Sequence, residues 1–340
     1  MNARIKICAA LFFSTLLWNC GGNSSKSTQT EEKKPTIVHV PTPDFDSQGA
    51  YDKVQKQVDF GYRVPNTPAH KACGDWIVEQ MKANGLEVIE QPFDAFSFRG
   101  EKLNGRNIIA SYNPEAKKRV LLAAHWDTRA VADQDDEQKD KPIPGANDAG
   151  SGVAILIQLA QTINQAAEKP SLGIDYIFFD VEDGGAPDSY TGNPMNEYSG
   201  YLMGSDYWSQ NLHKANYSVY YGILLDMVGA SGATFRKEDT SMKVAPSVVN
   251  KVWETASSKG FGTYFLDQSV GGLLDDHIPV IKNAKIPMID IIDLKNSGSQ
   301  MFFDHWHTHE DNMEAIDKNT LEAVGETLLQ VLYDENGLMQ

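Results

Sequence analysis

Apolar positions along the chain follow two alternating rhythms. Residues 51–60, 70–84, 152–163, 247–257 and 317–332 carry apolar side chains three and four apart, the spacing of helices with one buried face. Gly85 stands after the second as a C-cap, and Asp317 opens the last as an N-cap. Between them lie short, nearly unbroken apolar runs at 107–111, 120–124, 174–180, 217–226 and 287–293. Such runs read as strands buried on both faces. Repeated alternation predicts an α/β fold: a single globular domain with a central, mostly parallel mixed β-sheet flanked by helices.

The N-terminal part follows neither rhythm. Arg4 and Lys6 precede an apolar run at 7–18 that is too short to span a bilayer comfortably, so residues 1–20 read as an export signal. Leu17-Trp18-Asn19-Cys20 resembles a bacterial lipoprotein signal, which implies acylation of Cys20; simple cleavage nearby is the second reading. Residues 21–45 are polar and rich in Ser, Thr and Pro, a flexible tether. The globular part is then 46–340. The expected location is exported, periplasmic or envelope-anchored in a Gram-negative bacterium, with membrane contact only through that lipid.

Composition narrows the partners. The 340 residues hold 30 basic and 46 acidic side chains, a net charge of −16. That surface repels nucleic acid and anionic lipid. It suits peptides with a free amino terminus, and equally plain solubility. Cys8 and Cys20 fall in the signal, leaving Cys73 alone in a helical pattern, where it reads as a small buried residue.

The candidate chemistry sits where apolar runs end. RVLLAAHWD supplies His125 and Asp127; IFFDVED supplies Glu182 and Asp183; GILLD supplies Asp226. Asp148 lies in a loop before a helix, and LLDDH supplies Asp275, Asp276 and His277. In open α/β sheets ligands bind outside the carboxyl ends of strands. Carboxylates crowded there repel unless a cation offsets them or one keeps its proton. Mixed imidazole and carboxylate ligands point to zinc before magnesium or calcium. Alternate histidines His305, His307 and His309 would share one face of an extended segment, with one of them a ligand. Asp180 reads as a solvated or hydrogen-bonded neighbour, Trp126 and Trp306 as pocket walls beside site residues, and 133–141 as a solvated loop.

Together these motifs, from Pro65 onward, resemble the zinc-dependent aminopeptidase superfamily. Asp275 before Asp276-His277, Trp306 before His307, and the stretches GSDYW and LLDMVGASGATFRKE resemble glutaminyl-peptide cyclotransferases of the animal type, in their bacterial form. That resemblance implies one zinc held by Asp148, Asp183 and His307, with Glu182 as general acid–base. It implies an acidic network of Asp226 and Asp275, and a substrate pocket lined by Trp306 with help from Trp208. It places Asp290 where the animal enzymes carry a histidine, and makes 184–200 a rim loop. The expected substrate is a peptide or protein with N-terminal glutamine, converted to pyroglutamate with loss of ammonia. His125 and Asp127 would support the site or serve a second metal; all five ligands of a two-zinc site, His125, Asp148, Asp183, Asp226 and His307, are present, so a two-zinc aminopeptidase stays open. A tethered binding protein with a vestigial metal site is the reading from another class.

Overall fold

The computed structural model describes residues 39–187, 189–193, 197–295 and 301–337. The signal, Cys20 and most of the tether lie outside the described residues. Strands β1 (Glu87–Phe96), β2 (Lys102–Tyr112), β3 (Arg119–His125), β4 (Gly173–Phe179), β5 (Gly222–Asp226) and β8 (Met288–Ile292) form the central sheet. A small second sheet pairs β6 (Phe235–Glu238) with β7 (Phe265–Val270). The helices are α1 (Ser47–Asp59), α2 (Pro68–Ala83), α3 (Gly150–Gln165), α4 (Met203–Gln210), α5 (Asp239–Val244), α6 (Pro246–Ser258), the single turn α7 (His277–Pro279) and α8 (Lys318–Gly337).

Central strands run in the order β1-β2-β4-β3-β5-β8. The pairs β4/β3, β3/β5 and β5/β8 are parallel, while β1/β2 and β2/β4 are antiparallel. This is the mixed, mostly parallel sheet the apolar runs predict. Side-chain alternation explains why those runs are unbroken. Val120, Leu122 and Ala124 of β3 enter one core, and Leu121 and Ala123 the other. On β4, Ile174, Tyr176 and Phe178 oppose Ile177 and Phe179 in the same way. The larger core is covered by α1, α2, α3, α6 and α8, and the smaller receives Trp208 of α4.

The short elements α4, α5, β6 and β7 are not marked by the pattern, and three further differences have clear physical causes. Strand β1 is absent from the reading because its alternation is broken by acidic residues and Pro92, features an edge strand tolerates. The run at 217–226 is a strand only from Gly222, because Tyr217 turns aside to donate its hydroxyl to Asp175 Oδ2 at 2.9 Å. The last residues of the expected tether are docked on α8. Phe45 is buried against Gly325, its N–H donates to Glu326 Oε1 at 2.6 Å, and Val40 N–H donates to Asp334. Asp317 caps α8 as expected, accepting from Asn319 N–H at 3.0 Å.

Candidate metal centre

The parallel order β4-β3-β5 lays three strand ends side by side. His125 closes β3 and Asp226 closes β5, while Glu182 and Asp183 follow β4. Asp148 precedes α3, whose entrance presses on the sheet. A Cβ on Gly152 would stand 2.5 Å from the Leu225 carbonyl oxygen, so only glycine lets the helix bring Asp148 so near. His307 comes from the loop after β8.

Asp127 explains how two acids can follow a buried strand. Its carboxylate accepts from the N–H of Glu182 at 3.0 Å and of Asp183 at 3.2 Å, fixing both backbones. Asp180 is buried and accepts from His70 Nε2 (2.8 Å) and from the N–H of Arg106 (2.6 Å), which makes it a strut of the turn. Val181, Met227 and His307 adopt left-handed φ of 55°, 49° and 57°. For non-glycine residues each costs on the order of 1–3 kcal/mol, and such outliers gather at functional sites.

The ligand atoms of Asp148, Asp183 and His307 lie within 4.8 Å of one another, and all three residues are buried. His307 Nε2 stands 3.3 Å from Asp183 and 3.9 Å from Asp148. His125, Asp148 and Asp226 form a second group of the same tightness, with His125 Nε2 at 2.9 Å from Asp148 and 3.4 Å from Asp226. Asp183 Oδ2 and Asp226 Oδ1 are buried with no hydrogen-bond partner. Such oxygens are costly unless a cation faces them. Two carboxylates and an imidazole suit zinc, so the residues present fit that ion.

Electrostatics separate the acids by role. Burial, reinforced by Asp183, Asp276 and Asp275, pushes the Glu182 carboxyl well above its ordinary value, against the pull of His125. Burial and the neighbouring Asp226 push Asp275 up to about 7. Asp226 is raised by burial, with Asp148 and Asp183 adding to it against His125. Burial and the nearby Asp275 lift Asp290 as well. Burial disfavours the His125 cation, but Asp127, Asp148, Asp226 and Glu182 outweigh it and raise its pKa. Asp275 and Asp290 also sit with His277 in a third compact buried group, which meets the cavity through Asp275.

These groups open into a cavity of about 310 Å³. Asp148, Glu182, Asp183, Asp226, Asp275 and His307 line its polar floor; Leu274, Met301, Phe302 and Trp306 form an apolar wall. Trp306 stacks on His307 with ring centroids 3.7 Å apart.

Several expectations are corrected. Trp208 is fully buried, packed on Phe179 and Tyr217 and donating to His213, because α4 turns its indole toward the sheet; it does not line the cavity. Trp126 is likewise core, stacked on His70 at 4.2 Å, and is no pocket wall. The three alternate histidines do not share a face, because the chain turns at His307: His305 pairs with Glu310 and His309 with Asp135. Cys73 is buried, and burial pushes its thiol up to about 12, as an inert core residue requires. The 184–200 insertion closes on itself through Ala186 N–H to the Ser199 carbonyl, and Tyr201 after it reaches the cavity. Residues 188 and 194–196 lie outside the described residues. Arg129 and Asp133 were missed. Asp133 sits in a segment that reads as solvated, yet its carboxylate faces His307 Nδ1 at 3.1 Å. Their i,i+4 spacing just after the His125-Trp126-Asp127 motif is the signal that sequence offers.

Fold and site together have the form found in zinc-dependent exopeptidases: a mostly parallel sheet with a zinc-compatible cluster beside its strand ends. The chain belongs to peptidase family M28, which it matches over residues 107–332, and stands among that family's glutaminyl cyclase relatives. It is 46% identical to a glutaminyl cyclase from Bacteroides thetaiotaomicron solved with N-acetylhistamine, with a TM-score of 0.82, covering 86% of this chain and 99% of that one. A Zn-dependent exopeptidase from Parabacteroides distasonis is 45% identical with a TM-score of 0.83, covering 86% of this chain and 100% of that one. The glutaminyl-peptide cyclotransferase of Bos taurus is 27% identical over 308 residues, covering 80% of this chain and 78% of that protein.

Proposed function

We propose that the chain cyclises N-terminal glutamine of peptides and proteins to pyroglutamate, releasing ammonia. Its relation to glutaminyl cyclases supports the reaction class. The observation that carries the reading is Asp275: a carboxyl raised to about 7 beside Asp226 and Glu182, on the cavity that also presents Asp148, Asp183 and His307. Neighbouring acids with raised proton affinity suit a reaction that must move one proton from an attacking amine to a leaving amide.

Asp148, Asp183 and His307 would hold one zinc. When bound, that ion supplies Lewis acidity to the side-chain carboxamide oxygen. The substrate's own α-nitrogen then attacks its carboxamide carbon, so a five-membered ring forms without a second reactant. Glu182 takes a proton from the α-nitrogen and delivers it to the carboxamide nitrogen, which departs as ammonia as its bond to carbon breaks. The raised affinity of Glu182 for a proton suits both steps. Asp226 and Asp275 hold the protonation state around it. The apolar wall of Leu274, Met301, Phe302 and Trp306 narrows access for water, the competing nucleophile.

A two-zinc aminopeptidase is the second reading, favoured by the complete His125, Asp148 and Asp226 group. Incubation of purified protein with a glutamine-initiated peptide separates the two by product mass. Loss of ammonia alone is expected; release of a free amino acid would overturn cyclisation. Arg4, Lys6, the 7–18 run and Cys20 further support an exported, envelope-anchored location, which palmitate labelling in a Gram-negative host tests.

A further inference from the structure

We propose that Arg129 and Asp133 are positioning residues for the metal centre, acting as one clamp on two ligands, Asp183 and His307. The inference rests on the zinc reading above. It concerns side chains outside the ligand set.

His307 presents Nε2 to Asp183 and Asp148, so its other ring nitrogen decides how the ring stands. Nδ1 lies 3.1 Å from Asp133 Oδ1, an ion-pair distance although the N–H is not yet aligned as a hydrogen bond. A carboxylate there keeps the hydrogen on Nδ1 and leaves the Nε2 lone pair for the ion. Asp133 is itself held by a fork. Arg129 Nε donates to Asp133 Oδ1 at 2.6 Å, and a terminal nitrogen of Arg129 donates to Oδ2 at 3.1 Å. The remaining terminal nitrogen of Arg129 donates to Asp183 Oδ1 at 3.1 Å and to the Asp183 carbonyl at 3.2 Å. One planar guanidinium thus spans the partner of one ligand and the side chain and backbone of another. Lysine cannot reproduce that geometry.

The surrounding backbone tightens the clamp. Gln134 N–H donates to the His307 carbonyl at 3.4 Å, and Asp135 Oδ2 accepts from His309 N–H at 2.9 Å. Ile143 N–H returns to the Arg129 carbonyl and Ala132 N–H to the Lys141 carbonyl. His307 carries a left-handed φ of 57°, a conformation that persists only where its surroundings impose it. The segment that binds it is the one carrying Asp133. Arg129 is fully buried, so its side chain is committed to this role rather than to solvent.

The test is zinc affinity, read by competition with a chromophoric chelator, with the visible spectrum of the cobalt-substituted protein as a second signature. Wild type, Asp133→Asn, Arg129→Lys and the exposed control Asp140→Asn are compared. Loss of an outer partner of this kind lowers metal affinity about 10- to 100-fold. That loss is expected for Asp133→Asn and for Arg129→Lys, with a changed cobalt spectrum, while Asp140→Asn matches wild type. If Asp133→Asn does not fold, Arg129→Lys decides, since it keeps the charge and removes only the fork. Zinc affinity within about twofold of wild type in the folded variants, well below that range, with an unchanged cobalt spectrum, overturns the clamp and leaves the ligand assignment standing. A wild type that binds no zinc overturns the ligand assignment and the clamp with it.

Discussion

Replacing Glu182 with Gln isolates proton transfer from metal binding. The substitution keeps the shape of the side chain and removes its ability to accept a proton. Glu182 stands outside the Asp148, Asp183 and His307 group, and its backbone is fixed by Asp127, so the ligands should stay in place. A positioned acid–base group contributes about 100- to 10,000-fold to rate. That corresponds to about 3–5 kcal/mol of barrier, read as a fall in kcat with little change in KM. Stability gives an independent sign. In the metal-free protein, burial and three neighbouring carboxylates make native Glu182 bind its proton more tightly than the unfolded chain does. Its contribution is therefore present below about pH 4.5, the ordinary glutamate range, and is lost as pH rises through the raised value. Gln escapes that loss. The difference in Tm, variant minus wild type, should grow from pH 5 to pH 8 in zinc-free protein, on the order of the linkage expected for one raised carboxyl. An ammonia-release assay, metal analysis and thermal unfolding cover the three quantities. Near-wild-type turnover would refute the acid–base role, and zinc lost together with activity would make Glu182 a ligand instead.

Trp306→Ala should raise KM about 10-fold, the loss of one aromatic wall worth about 1.4 kcal/mol, while Trp208→Phe leaves KM unchanged because that indole lies in the core; equal effects would contradict the pocket assignment. Asp127→Asn should lower unfolding free energy by about 1–3 kcal/mol in urea titration, since an amide N–H replaces an acceptor between two buried donors; an unchanged midpoint would show that the acid pair is held otherwise. Asp275 rises from 3.8 to about 7 on folding, so its favourable contribution is complete at low pH and lost as pH climbs through about 7. Zinc-free Asp275→Asn should exceed wild type in stability at pH 8 by up to about 4 kcal/mol, with the gap closing toward pH 4; a gap independent of pH would deny that Asp275 is raised.

The sheet was legible because both of its faces are buried. Strands β3, β4 and β8 are buried at every position and β5 at all but its last, with apolar side chains at most of them, and the parallel order brings the carboxyl ends of β4, β3, β5 and β8 to one edge. Strand β1 was hidden because an edge strand mixes charge with apolar residues. His125, Glu182, Asp183 and Asp226 could be picked out because they stand at the ends of apolar runs, Asp148 because it precedes a helix with a small-residue entrance, and His307 because it lies in a His-rich segment beside Trp306. Trp126 and Trp208 were misjudged, although Trp306 does line the cavity: adjacency in sequence says nothing about which way a side chain points once α4 or the Trp126 turn is packed. Asp133 was lost in a run of charges, since composition describes that segment as solvated while one buried arginine draws a single carboxylate inward.

The central claim is that Asp148 before α3, Asp183 after β4 and His307 in the loop beyond β8 converge on one transition-metal ion. Anomalous diffraction at the zinc absorption edge, on crystals grown with that ion, tests it most directly. The account predicts a peak bounded by Asp148, Asp183 and His307, with Glu182 facing it from the cavity. Density for the three side chains turned apart with no peak between them, or a peak bound only elsewhere on the molecule, would contradict it.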